Sequence, residues 1–208
     1  MIRVSNNFAK AMEFTSFRKK ETATDDELIN AVLKFETVLA KQNGVIFHCL
    51  VRNFNNEYAN VLFAGNIEHL HALSKDIFSF REALDFFALI ENDSAKMQFH
   101  EILKTDFSVP EGFAGMECGT FSLKDSSGMD MFIKASEEME KYYLEALDNN
   151  LGHFIGRMED KISEISIGKT YAKTKQECYG YYENQYGQSF LDLADLSAAE
   201  LDFWYLIA

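Results

Sequence analysis

The segment AKMQFHEILK at 95–104 returns in outline as AELDFWYLIA at 199–208, an offset of 104 in a chain of 208 residues. The same offset runs along the chain without a gap. Met12-Glu13 meets Met116-Glu117, Phe17 meets Phe121, and Lys20 meets Lys124. Asp26, Ala31 and Glu36 meet Asp130, Ala135 and Glu140, while Phe86, Ala95 and Phe99 meet Phe190, Ala199 and Phe203. The identities are few, but a constant offset from the first strand to the last marks a tandem duplication. The chain's one proline, Pro110, lies in DFSVPEGFAG, where one copy hands over to the next. Proline and glycine there suit a linker that stops a strand. The expected organisation is a first repeat at 1–106, a linker at 107–112 and a second repeat at 113–208.

Each repeat reads as six elements. AMEFTSFRKKE (11–21) has strand character, and TDDE (24–27) is a capping box ahead of Leu28, Val32, Phe35 and Leu39 at helical spacing. In the second copy Ser127 and Asp130 take the cap positions, before Phe132, Ala135, Met139 and Tyr143. VIFHCLVRNF (45–54) is apolar on both faces, so it reads as a strand covered on both sides, and ANVLFAG (59–65) as its neighbour. Asn66 caps a helix carrying Ile67, Leu70, Leu73 and Ile77 on one side. A short helix over 81–90 and a last strand from Met97 complete the order strand, helix, strand, strand, helix, strand. That order is the ferredoxin-like split βαβ topology. A single such sheet has helices on one face only, so the expected fold is α+β, with the two tandem repeats packed sheet to sheet as a pseudo-dimeric α/β barrel.

Composition excludes several function classes. The net charge of −13 argues against nucleic acid and against anionic membranes, and no apolar run approaches the roughly 20 residues of a membrane span. The charge is uneven: residues 1–104 carry 12 basic and 14 acidic residues, net −2, against 8 and 19, net −11, in 105–208. Cys49, Cys118 and Cys178 are an odd, scattered set without CxxC spacing, and MIRVSNNFAKAMEF lacks the apolar block of a secretory signal. The expectation is a cytoplasmic protein with buried thiols and no disulfide framework or zinc site.

Element order, duplication and the passage FFALIENDSAKMQFHEIL together resemble the dimeric α/β-barrel superfamily of antibiotic-biosynthesis-monooxygenase-like proteins, here as a tandem fusion. The resemblance implies a pocket in each copy between sheet and helices. It also implies a range of activities: cofactor-free oxygenation of aromatic substrates, haem degradation, lactone isomerisation, or none. For haem degradation the family pattern includes a first-strand Asn, a Trp and a helical His. The stretch Met12 to Phe17 has no Asn, and the only Trp, Trp204, is in the last strand, so the haem reading is disfavoured and no cofactor is expected.

Histidine is the usual acid–base group near neutral pH. Four of the five histidines lie in the first copy. His69 and His71 diverge by roughly 200° on a helix, which argues against a metal pair. His48 and His100 sit among apolar neighbours on strands and are the catalytic candidates; each also has a plain reading as a core histidine satisfied by one hydrogen bond. At their places the ungapped offset puts Gly152 and Trp204, which assigns any such chemistry to the first copy and makes its pocket the larger and more polar. Glu13, Arg52 and Tyr58 are the ligand-binding candidates. Glu13 and its counterpart Glu117 either enter a pocket as a raised-pKa base or turn outward and pair with a lysine. Arg52 and Arg157 end corresponding strands and suit a carboxylate ligand or a solvated strand end. The tyrosines Tyr171, Tyr179, Tyr181, Tyr182 and Tyr186 suit an aromatic ligand, an interface, or a helix packed on a sheet.

The resulting reading is a protein that binds a small apolar or aromatic compound, with cofactor-independent oxygenase or isomerase chemistry as its enzymatic form. The alternative is a non-catalytic binding or assembly protein. Homo-oligomerisation, if it occurs, would use surfaces outside the barrel.

Overall fold

The computed structural model describes residues 1–125 and 128–208, and these divide into two units, Met1–Val109 with Leu206–Ala208, and Pro110–Tyr205. The first unit runs β1 (Ile2–Arg3), β2 (Ala11–Arg18), α1 (Asp25–Leu39), β3 (Val45–Arg52), β4 (Glu57–Ala64), α2 (Ile67–Asp76), α3 (Arg81–Phe87) and β5 (Lys96–Ile102). Its strands lie in the order β1-β3-β4-β2-β5, every neighbour antiparallel.

Local sequence accounts for these elements. Thr24 opens α1 with both halves of the capping box: its hydroxyl accepts from Glu27 N at 3.1 Å, and the Glu27 carboxylate accepts from Thr24 N at 2.8 Å. The Asn66 side chain accepts from His69 N at 2.8 Å and opens α2. Phe17, Phe35 and Phe86 then join sheet to helices, Phe35 stacking on Phe86 at 5.5 Å and Phe17 meeting it edge-on at 5.7 Å. At the end of the chain, Ala208 O accepts from Leu50 N at 2.7 Å, which places the last residues on β3.

The second unit repeats the plan with β6 (Gly115–Leu123), α4 (Met129–Tyr142), β7 (Asn150–Arg157), β8 (Ile162–Gly168), α5 (Tyr171–Tyr179), α6 (Gln185–Leu191) and β9 (Ala194–Leu206), in the sheet order β7-β8-β6-β9. Phe121 and Phe190 hold its core as Phe17 and Phe86 hold the first, meeting edge-on at 6.0 Å. The cap expected at Ser127 lies outside the described residues; α4 follows Gly128, which supplies no side-chain cap. Each unit is the ferredoxin-like βαββαβ fold, with the second helix broken in two. Among the described residues no helix is long and apolar enough to cross a membrane.

The offset of 104 fails in one place. β4 and β8 keep it, since Phe17 pairs with Tyr58 and Phe121 with Ile162. In β3 and β7 it becomes 105: Val45 and Asn150 hold the same register, as do His48, opposite Leu62, and His153, opposite Ser166. One residue is gained before β7 and lost again in the turn into β8, where 158–161 replaces 53–57. The counterpart of His48 is therefore His153, not Gly152. A strand has a period of two, so a slip of one residue is the difference between its two faces.

Candidate functional site

Side chains alternate across β2. Glu13, Thr15 and Phe17 turn toward the helices, and Met12 and Phe14 turn to the other face. The same alternation in β6 brings Glu117, Gly119 and Phe121 under the helices of the second unit. Each unit holds a cavity at this place. Glu13, Thr15, Asn60 and Ile77 line the first; Glu117, Gly119, Glu164 and Tyr181, their counterparts at the offset of 104, line the second.

The first cavity is small, about 40 Å³. Glu13 is half-buried there and accepts from the Thr15 hydroxyl at 2.8 Å. Burial raises its pKa, and the threonine hydrogen bond holds that rise back. His48 also lines the cavity. Its Nδ1 lies 3.0 Å from Glu36 Oε1 on α1, and its Nε2 lies 3.2 Å from Asn60 Oδ1 on β4. Glu36 also meets the Met1 ammonium at 3.0 Å. Burial pushes the Glu36 carboxyl upward, but the His48 and ammonium partners outweigh it and leave its pKa lowered.

The second cavity is about 160 Å³. Gly119 stands where Thr15 stands in the first unit, and Ser166 where Leu62 stands. Both changes remove side-chain volume. Glu117 is fully buried against this space, and neither of its carboxyl oxygens has a hydrogen-bond partner among the described residues. The Ser166 hydroxyl is close enough to lower its pKa but lacks hydrogen-bond geometry. Burial first, and the neighbouring Glu164 charge second, push the Glu117 pKa well above the usual carboxyl range. Glu164 itself is supported: the Tyr181 hydroxyl donates to it at 2.7 Å, and His153 Nε2 lies at 3.3 Å. His153 Nδ1 lies 3.7 Å from Glu140 on α4. Burial pulls the His153 pKa down, and the two carboxylates more than reverse that. Glu140, His153 and Glu164 thus repeat the arrangement of Glu36, His48 and Asn60.

Of the residues singled out in the sequence, Glu13 and His48 come together at the first cavity. Arg52 and Tyr58 do not join them. They converge on Asp25 at the start of α1, Arg52 Nη1 at 2.9 Å and the Tyr58 hydroxyl at 2.7 Å, with the guanidinium over the Tyr58 ring. His100 pairs with Met12 and lies on the sheet face turned away from the helices, and burial lowers its pKa to about 4. Trp204 pairs with Met116 and shares that orientation in its own unit, so it does not fill the second cavity. Of the two cavities, the larger is in the second unit, opposite to the expectation, because Gly119 opens it and the tryptophan points elsewhere. Glu117 and Glu13 turn neither outward nor toward a lysine. Tyr181 is buried behind Glu164, and Tyr179 and Tyr182 stand exposed at the mouth. The three cysteines are buried and free. Among the described residues no group of three or more His, Cys, Asp or Glu side chains is placed to hold a metal ion.

No protein-family model matches the chain, and no curated protein matches it in sequence. Solved structures do match. A candidate monooxygenase from Fusobacterium nucleatum subsp. nucleatum superposes with a TM-score of 0.68 at 8% identity, over 97% of this chain and 94% of that one. An anthrone oxidase-like protein matches at 0.61 and 10% identity, over 100% and 94%. A heme-degrading enzyme from Listeria monocytogenes matches at 0.53 and 9% identity, over 94% and 99%. At this identity the likeness is one of fold. Together with the two ferredoxin-like units, it shows that the chain shares its fold, two ferredoxin-like units in tandem, with these structures.

Proposed function

We propose that this is a small-molecule-binding protein whose working pocket is the 160 Å³ cavity of the second unit. The observation that carries this reading is Glu117: a buried carboxyl with no partner, facing a space large enough for a ligand. Leaving a buried polar group unmade costs on the order of 1–3 kcal/mol, a cost that a bound ligand recovers. A cavity of roughly 150 Å³ holds one benzene-sized ring. The walls from Phe121, Phe190, Tyr181 and Leu201 suit such a ring.

The chemistry such a site supports is proton transfer. A carboxyl whose pKa is raised by burial can serve as a general acid or base, and apolar walls exclude water from a reactive anion. Both fit oxygenation or isomerisation of a small aromatic compound without a cofactor, and the candidate monooxygenase and anthrone oxidase-like structures share the fold. In the first unit, His48 oriented by Glu36 is the corresponding acid–base group, in a smaller pocket.

Mass spectrometry of small molecules released from the purified protein tests the reading. We expect a single-ring compound, retained by the natural chain and lost from Leu201→Trp, which fills the cavity. A chain that neither retains nor takes up any single-ring compound in a thermal-shift panel overturns it. Oxygen uptake or product formation with the identified compound then separates turnover from binding.

A further inference from the structure

We infer that the ligand of the second unit's cavity is an organic cation, a small aromatic or aliphatic amine whose ammonium group is held by Glu117. This rests on the binding reading above and names the chemical class of the ligand.

The first argument is the comparison between the two units. Glu13 on β2 and Glu117 on β6 occupy the same position in their sheets. In the first unit Thr15, two residues on and on the same face, donates its hydroxyl to Glu13 at 2.8 Å. In the second unit that position is Gly119, whose absent side chain leaves Glu117 without the donor; a Cβ built there would stand 3.0 Å from Glu117 Oε1. One difference therefore removes the internal donor and opens the space in which a ligand's donor would stand. What is missing at Glu117 is a hydrogen-bond donor, and an ammonium supplies up to three.

The second argument is charge. The cavity is lined by Glu117, Glu164 and Glu200, with no lysine, arginine or histidine among its described lining residues. His153 lies behind Glu164 at 3.3 Å, and the Tyr181 hydroxyl donates to the same oxygen, so the nearest positive charge and donor are both committed to Glu164. Glu117 alone is left uncompensated. Groups facing it are Glu164 from β8, Cys178 from α5, Tyr181 beyond α5 and Glu200 from β9, none of which carries positive charge. The rest of the wall is aromatic. The rings of Phe121, Phe190, Tyr179 and Tyr182 line the space and carry the quadrupole that draws cations, and an apolar body on the amine fills the space between them. An anionic ligand would meet three acids, and a neutral one would leave the Glu117 carboxyl without a charged partner.

The proton balance follows. In the empty protein Glu117 holds its proton because a lone buried carboxylate is costly. Binding an ammonium gives the carboxylate its partner, so Glu117 releases that proton to solvent and the N–H groups of the ligand take its place. Below the Glu117 pKa of the empty protein, up to one proton leaves per ligand bound and affinity rises by up to about tenfold per pH unit; above it both effects fade.

Calorimetry on the full chain tests this with benzylamine, benzyl alcohol and benzoate as probes of one shape and three charges. Benzylamine should bind at least about tenfold more tightly than benzyl alcohol, benzoate should not bind, and the benzylamine enthalpy should depend on buffer ionisation as release of one proton requires. Glu117→Gln keeps the shape and neutrality of the protonated acid, so it should fold normally, lose the preference for the amine and show no proton release. Gly119→Thr restores the arrangement of the first unit and should abolish binding. If benzyl alcohol binds as well as benzylamine, or Glu117→Gln keeps the preference, the cation inference fails while the binding reading stands. If none of the three probes binds and no amine of any size is retained by the protein, both fail.

Discussion

His153 on β7 stands in its sheet where His48 on β3 stands in its own, each facing a glutamate on the first helix of its unit, Glu140 and Glu36. The third partner differs. His48 has the neutral Asn60, whereas His153 has Glu164. The first histidine shares one carboxylate and the second sits between two.

This difference sets a pH dependence. The carboxylates raise the His153 pKa above its unfolded value near 6.5, so the folded chain keeps a proton that the unfolded chain releases. That contribution is fully present below about pH 6.5 and is lost as the pH rises through the folded value. Chemical denaturation from pH 6 to pH 9 should show the natural chain losing stability, and His153→Gln losing distinctly less over the same range. Each unit of elevation is worth about 1.4 kcal/mol. Equal losses in both proteins would show that the pair does not act as described.

Removing His153 altogether is expected to be costly. His153→Ala removes the imidazole from beside the buried Glu164, a class of change that costs about 3–5 kcal/mol. Urea midpoints compared at pH 6 measure it. A loss under about 1 kcal/mol would contradict the ion-pair geometry.

The Tyr58 hydroxyl holds the Asp25 carboxylate, with Arg52 as a second partner. The hydrogen bond from Tyr58, ahead of the Arg52 charge, keeps the Asp25 pKa below its ordinary value. Tyr58→Phe should cost about 1 kcal/mol at pH 7, since Asp25 is well exposed and solvent screens it. The difference from the natural chain should vanish as the pH falls through the folded Asp25 value. Ligand binding should be unchanged, because neither residue lines either of the two cavities described above.

Phe86 packs between Phe17 and Phe35 in the first unit, and its truncation leaves a void under both helices. Phe86→Ala should cost about 3–5 kcal/mol, read from thermal or urea unfolding, and Thr24→Ala at the capping box about 1 kcal/mol. The second value is the sharper check, since the capping hydrogen bonds lie at the surface and nothing else in the fold compensates them.

Much of the fold is legible in the order of residues because its signals are local. Thr24 with Glu27, and Asn66 before the Ile67 helix, announce caps that the structure contains. Phe17, Phe86 and their counterparts keep one offset because the residue gained before β7 is lost again before β8. The site is less legible. Pairing His48 with Gly152 follows from sliding the chain without gaps, and a gain before β7 offset by a loss after it leaves no trace in the total length. Glu117 looks like any strand carboxylate until the turns fix which face it shares with Gly119. Arg52 and Tyr58 look like ligand groups because the sequence does not show that Asp25, 27 residues before Arg52, folds back to meet them.

Gly119 has one more consequence. A chain holding a filled and an opened version of one pocket carries its own reference experiment, in the same solution and at the same concentration. Thr15→Gly should excavate the first cavity and strip Glu13 of its donor, as Gly119 has done for Glu117. Two binding events per chain where there had been one would mean that a single methyl-bearing hydroxyl separates a structural repeat from a receptor.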